Sequence, residues 1–221
     1  MDYVFQFGTV WQDWPLLLHG LWATIRLSAL AMVLGLAIGV AGAWGDTEGP
    51  PALQWPIRAY VELIRNTPFL VQLLVIYLGL PEIGVRFDPD AAALVALTVN
   101  LGAYAIEIVR AGIEAVPEGQ TEAGLALGLH PFQVFCLIVI RPALRAVYPA
   151  LASQFILLML GTSIVSVIGA EELTAAANSI QARTFRAFEI YFTVLALYLA
   201  LSLAFRVAFA AAGRLILARV P

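Results

Sequence analysis

Lysine is absent: all 12 basic side chains of the 221 residues are arginine. A phosphate-binding loop ending in Gly-Lys-Ser/Thr therefore cannot exist in this chain, and any nucleotide must be handled by another polypeptide. The net charge of −3 supplies no basic field for nucleic acid, so that class of partner is excluded. A single cysteine, Cys136, rules out an intrachain disulfide and is read as a packing residue. His19 and His130, the only histidines, lie too far apart in sequence to indicate a metal site or a Ser-His-Asp triad, and Ser163 and Ser166 have no histidine nearby. The chain is accordingly expected to have no catalytic residues, no metal ligands and no cofactor of its own. The acidic N-terminus lacks the basic region and small-residue cleavage site of a secretory signal, so the first apolar run is expected to be kept as an anchor.

Charge is also scarce, at 12% of residues, about half the share of a typical soluble domain. In its place stands 62% hydrophobic residues and a mean hydropathy of +0.89, more apolar surface than a core of this size can hide. The expected fold class is an all-α integral membrane protein. Five stretches, about 18–44, 58–80, 91–113, 147–169 and 187–213, reach the roughly 20 apolar residues needed to cross about 30 Å of hydrocarbon. Residues 1–17 form an external or interfacial segment, 18–217 one membrane domain, and about 117–145 a polar loop within it.

Arginine placement gives an orientation, because inner loops keep an excess of basic residues near span ends. With the N-terminus outside, Arg58, Arg65, Arg110, Arg141, Arg145, Arg214 and Arg219 fall inside, against Arg86, Arg183 and Arg186 outside. The expected topology is N-out, C-in. Five spans cannot be halved into the equal inverted repeats of many secondary transporters. Trp11, Trp14, Trp22, Trp44 and Trp55 cluster near span ends as an anchoring belt.

The stretch EGQTEAGLALGLHPFQVF, residues 118–135, is polar where its surroundings are not. Glu118 and Glu122 suit the positive start of a helix, Gly128 suits a left-handed helix stop, and Pro131 suits the first turn of a second helix through Phe132, Phe135, Ile138 and Val139. Such a helix-turn-helix can plug a groove on a partner or lie on lipid headgroups. Among polar residues in the spans, Glu62 with Arg65 and Glu107 with Arg110 are spaced to pair on one helix face. Asn66, Thr67 and Pro68 interrupt the second span, as a loosened segment or a kink. Asn100, Tyr104, Gln154, Thr162 and Ser163 either line a path or join helices by hydrogen bonds. Arg26 and Arg206 snorkel or pair with Glu189 or a partner chain.

EAGLALGLHPFQVFCLIVIRPALR resembles the EAA loop of the membrane subunits of binding-protein-dependent ABC importers, with Glu122, Ala123 and Gly128 matching. Gly124 replaces the second Ala of that pattern, and Arg141 stands at its proline, with Pro142 one place later. YVELIRNTPFLVQLLVIYLGLP (60–81), NLGAYAIEIVRAGIEAVPEGQ (100–120) and GTSIVSVIGAEELTAAA (161–177) are similar to the polar amino acid branch, the histidine, glutamine and arginine type. Leu160 and Gly161 occupy the places of a Lys-Asp pair common in relatives, so that pair's role does not transfer.

The resemblance implies a type I importer membrane fold and a permease subunit that moves polar amino acids across a bacterial inner membrane. It implies a docking surface at Gln120, Glu122, Ala123, Gly124, Leu127, Gly128 and His130, and a path near Asn66, Thr67, Asn100, Tyr104, Gln154, Thr162 and Ser163. The implied partners are two ATP-binding subunits that use ATP and Mg²⁺, a second permease subunit identical or sister, an external amino-acid-binding protein, the amino acid and the lipid bilayer. The alternative is an ion-coupled secondary transporter or a channel subunit.

Overall fold

The computed structural model describes residues 4–218. Residues 1–3 and 219–221, Arg219 among them, lie outside the described residues, as do the side chains of Phe132 and Cys136. Among the described residues all regular structure is helical. A short α1 (Gly8–Gln12) precedes α2 (Trp14–Glu48), α3 (Pro51–Arg65) and α4 (Phe69–Leu74); α4 runs on through a π turn, Val75–Gly79, and a 3₁₀ turn, Leu80–Ile83. There follow α5 (Pro89–Glu114), α6 (Glu118–Ala126), α7 (Pro131–Val134), a second π turn at Phe135–Val139, α8 (Ile140–Gly161), a 3₁₀ segment at Thr162–Ile168, α9 (Leu173–Thr184) and α10 (Ala187–Ala218).

Polar contacts identify the two ends of the bundle. At one end Asp13, before α2, pairs with Arg183 of α9 at 2.9 Å, and Asp90 at the start of α5 accepts from the Glu171 amide at 2.8 Å. At the other, Asp46 near the end of α2 meets Arg58 of α3 and Arg110 near the end of α5. Thus α2 and α5 run the same way, and the α3–α4 segment must carry the chain back between them. Helices α8 and α10 complete five passes, so the first and last helices run the same way and finish at the same end.

Four helices are each long and apolar enough to cross a membrane: Trp14–Glu48, Pro89–Glu114, Leu137–Ile168 and Ala187–Leu215. The expected second span, 58–80, is a bent pair instead, Pro51–Arg65 and Phe69–Ile83 meeting at 110°. Pro68 causes the break, since it has no amide hydrogen to continue the ladder. Asn66 and Thr67 close the end of α3: the Asn66 backbone amide and side-chain Nδ2 both donate to the Glu62 carbonyl, at 3.1 and 2.8 Å, and the Thr67 hydroxyl donates to that of Leu63 at 2.7 Å. The helix after the polar loop runs without a break from Pro131 through the π turn into α8, so the loop's second helix and the fourth span are one rod.

Small residues bring α2 and α5 together. A Cβ added at Gly39 would stand 2.4 Å from the Ala105 Cβ, one at Gly42 2.4 Å from Ile106, and one at Gly35 2.8 Å from Leu101. Such close approach is how helices gain contact in lipid, where burial of apolar area gives no net drive. The principal core joins Ala31 and Met32 of α2, Leu73 of α4, Leu97 and Leu101 of α5 and Met159 of α8. In α10 the outward stripe Phe188, Phe192, Leu195, Leu199, Leu203 and Val207 is exposed, an apolar face that suits hydrocarbon.

Candidate docking surface and polar elbow

The polar loop folds as a helix, a glycine turn and a second helix. Leu127 caps α6, and Gly128 follows with φ of +81°, the left-handed conformation that glycine adopts without penalty. The Gly128 amide donates to the Leu125 carbonyl at 2.9 Å and the Leu129 amide to the Gly124 carbonyl at 3.2 Å, the paired bonds of a Schellman stop. His130 then opens the next helix: its amide donates to the Gln133 side chain at 2.9 Å, and its carbonyl accepts from the Gln133 amide at 2.8 Å. This is the reciprocal half of a capping box, with Pro131 in the first turn where its missing amide hydrogen does no harm.

Packing fixes this hairpin to the bundle. Val116, Val134, Val139 and Ala143 form a small core, joined by Ile113, Leu129 and Ile138. Gly124 is buried against it: a Cβ there would stand 2.6 Å from the Ile138 Cδ1 and 3.0 Å from a Val134 methyl. The glycine that replaces the expected alanine therefore matches a tight local contact. The π turn at Phe135–Val139 lies between Gly128 and Pro142. A turn closed by i→i+5 bonds holds one more residue than an α turn. That extra residue has the size of the one-place shift of the proline. On the opposite face Gln120, Glu122, Ala123, Gly128 and His130 are exposed, and Leu127 is 82% exposed, an apolar side chain standing free at the turn.

Beside this hairpin, a charged pocket of about 740 Å³ lies between the ends of α2, α3 and α5. Asp46, only 6% exposed, bonds Arg58 at 2.6 Å and lies 3.8 Å from Arg110. Arg110 also reaches Glu107 at 2.7 Å and Glu114 at 2.6 Å, and Arg65 stands 3.6 Å from Glu107. The expected Glu107–Arg110 pair is present. The expected Glu62–Arg65 pair is replaced: Glu62 accepts from Asn66 at 2.8 Å, and Arg65 turns across to α5, over the Tyr104 ring at 5.7 Å. The elbow thus follows the Asn66 cap rather than the i,i+3 spacing.

Four of the seven path residues gather at that elbow. Asn66 and Thr67 form it, Asn100 is bonded to it through the Gln72 side chain at 2.9 Å, and Tyr104 sits under Arg65. The other three lie apart and share no hydrogen bond with them among the described residues. Thr162 is fully buried and donates to the Met159 carbonyl, Ser163 donates to the Leu160 carbonyl, and Gln154 is half-buried with no side-chain bond. Arg26 and Arg206 are exposed on their helices. Glu189, fully buried, accepts from the Gln6 amide at 2.9 Å and lies 3.9 Å from Arg186.

Three functional candidates escaped the sequence reading. Gln72 and Asp46 are buried polar residues that each join helices, Gln72 bonding Ile64 of α3 and Asn100 of α5 and Asp46 meeting Arg58 of α3 and Arg110 of α5. Glu172 is 1% exposed and caps α9, accepting from the Thr174 and Ala175 amides at 2.8 and 2.6 Å and from the Tyr198 hydroxyl at 2.6 Å. Burial holds its carboxyl above the usual carboxylate range, against the pull of those bonds.

Comparison with known proteins agrees with this geometry. The family described as "Binding-protein-dependent transport system inner membrane component" matches residues 31–217. The glutamine transport system permease protein of Escherichia coli K12 is 37% identical over 201 residues, covering 90% of this chain and 92% of that protein. The L-cystine transport system permease protein of Bacillus subtilis is 38% identical over 170 residues, covering 77% and 73%. A crystal structure of an amino acid ABC transporter with histidines superposes with a TM-score of 0.90 at 36% identity, over 96% of this chain and 99% of that one. The chain belongs to the inner membrane component family of binding-protein-dependent transport systems, and within it to the amino acid permeases of ABC transporters.

Proposed function

We propose that this permease subunit moves polar amino acids across a bacterial inner membrane, driven by ATP hydrolysis in a separate subunit that docks on the α6–α7 hairpin. The observation that carries this reading is the hairpin itself: a Schellman turn, braced by its own small core, that presents Leu127 and polar neighbours at one end of the bundle. A rigid, partly apolar protrusion of this kind fits a groove on a partner. Gln120, Glu122, Ala123, Gly128 and His130 would meet the ATP-binding subunit together with Leu127, while Gly124 holds α6 down.

The end bearing the hairpin is the inner one. Arg58, Arg65, Arg110, Arg141, Arg145 and Arg214 stand towards it, against Arg86, Arg183 and Arg186 at the other, the distribution of cytoplasmic and external loops. ATP and Mg²⁺ are bound by the partner subunits, and this chain contributes no catalytic group. A second permease subunit completes the path, and an external binding protein delivers the amino acid. Asn66, Thr67, Asn100 and Tyr104 lie nearest to one another on that path, with Gln154, Thr162 and Ser163 as further contacts.

Gly128→Asp tests the docking assignment. The substitution puts a side chain and a charge on a left-handed residue at the tip, with no neighbouring atom within 4 Å of its Cβ, so the bundle itself is spared. The expected result is a membrane-inserted subunit that no longer co-purifies with its ATP-binding partner. Undiminished co-purification and transport would sink the assignment.

A further inference from the structure

Gln72 lies in the first turn of α4 and is 8% exposed. Both ends of its carboxamide are engaged. Nε2 donates to the Ile64 carbonyl at 2.8 Å and to Thr67 at its carbonyl and hydroxyl oxygens, 3.0 and 2.9 Å away. Oε1 accepts from the Asn100 side chain of α5 at 2.9 Å.

The choice of Ile64 has a chemical reason. Ile64 stands four residues before Pro68, so in an unbroken helix its carbonyl would accept the amide hydrogen that proline lacks. A buried carbonyl left without a donor keeps the full desolvation penalty of that group. The Gln72 side chain supplies the near donor, at 2.8 Å, from beyond the break, while the Thr67 hydroxyl stands 3.5 Å from the same oxygen. Its other end is tied to a different helix, so the group that satisfies the proline break also sets where the break sits on α5. Arg65 braces the near side of the elbow over Tyr104 and against Glu107, and Gln72 the far side against Asn100.

We propose that Gln72 is a positioning residue for transport: its bonds to Ile64, Thr67 and Asn100 fix the 110° elbow between α3 and α4 on α5, and with it the stance of α4 in the pathway. The inference rests on the permease reading above. Asn66, Thr67, Asn100 and Tyr104 would then be held in place through this side chain, which need not touch the amino acid itself.

The test uses the assembled transporter with the single cysteine replaced, Cys136→Ser, and spin labels at Leu63 and Leu78, which are exposed on either side of the elbow. Labelled chain is diluted with unlabelled chain so that one pair reports. The unsubstituted elbow is expected to give one narrow distance distribution. Gln72→Leu, which removes both arms, is expected to broaden it and to lower amino acid uptake at least tenfold. Asn100→Leu, which cuts only the arm to α5, is expected to broaden it less and to lower uptake less. The double variant should be no worse than Gln72→Leu alone, because both changes remove the same bond. If Gln72→Leu fails to accumulate in the membrane, Asn100→Leu decides. Uptake within twofold of the parent in these variants, or uptake lost with an unchanged narrow distribution, would overturn the proposal. Absence of uptake by the unsubstituted transporter would count against the permease reading instead, and the distance distributions would then judge the elbow by themselves.

Discussion

A side chain at Gly124 tests whether α6 must lie flat on the helix that follows it. The added Cβ of alanine would stand 2.6 Å from the Ile138 Cδ1, the far tip of a flexible side chain, and 3.0 and 3.4 Å from the two Val134 methyls. Alanine gains about 1 kcal/mol of helix propensity over glycine. Displacing the Ile138 tip costs about the same, at the low end of the 1–3 kcal/mol typical of overpacking. The two effects nearly cancel. Valine adds two further methyls towards Val134, which is 1% exposed and has no room to yield, so its cost lies near the upper end, about 3 kcal/mol, with a smaller propensity gain. If docking needs α6 in its packed position, that strain appears as weaker binding. At 1.4 kcal/mol per tenfold, about 3 kcal/mol corresponds to roughly 100-fold. The assay pairs titration of the ATP-binding subunit with hydrogen exchange at the Gly128 and Leu129 amides, which close the Schellman turn. Gly124→Ala should bind within about twofold of the parent, whereas Gly124→Val should lose both affinity and protection. A Gly124→Val subunit that binds equally well, with both amides equally protected, would refute the reasoning.

Two other perturbations follow from the packing and the charges. Gly39→Leu puts a branched side chain where even a Cβ lies 2.4 Å from that of Ala105, so α2 and α5 must separate; the thermal midpoint in detergent should fall by several degrees, and an unchanged midpoint would contradict the close approach. Glu172 gives a pH dependence whose sign is fixed by burial. Because its folded value is raised, folding favours the protonated acid, so its contribution is most favourable below about pH 4.3 and is lost as pH rises through the raised value. Glu172→Gln should remove that loss, and melting curves of parent and variant that stay parallel from pH 4 to 8 would disprove it.

Much of the fold was legible because lipid simplifies the code. Long apolar runs bounded by Gly, Pro and Arg located the passes, and the Gly128–Pro131 pair located the hairpin, since a left-handed stop and a helix start make opposite demands that few residues meet. The elbow was harder. A proline in an apolar run signals a break, but not whether the chain bends slightly or by 110°, which depends on what satisfies the freed carbonyls. The donor is Gln72, and in sequence it is one amide among apolar residues; its partners are an orphaned carbonyl and an asparagine 28 positions away. Asp46 was invisible for the same reason, because both its arginines come from other helices. Glu172 was overlooked because glutamate ranks below Ser, Thr, Asp and Asn as a cap, and only burial beside Tyr198 singles it out. The path residues divide along this line. Asn66 and Thr67 beside the proline break are joined at the elbow by Asn100 and Tyr104 of α5, while Gln154, Thr162 and Ser163 of the fourth span and its end stay apart from it.

On the proposed function, amino acid uptake is coupled to a partner's ATP hydrolysis through the α6–α7 hairpin. The most direct measurement is ATP hydrolysis by the co-reconstituted permease, ATP-binding subunit and binding protein, with and without a panel of polar amino acids including glutamine, cystine and arginine. Stimulation by at least one of them, lost in Gly128→Asp, is the expected result. Uptake that continues without nucleotide and follows an ion gradient instead, with hydrolysis indifferent to the hairpin, would contradict it.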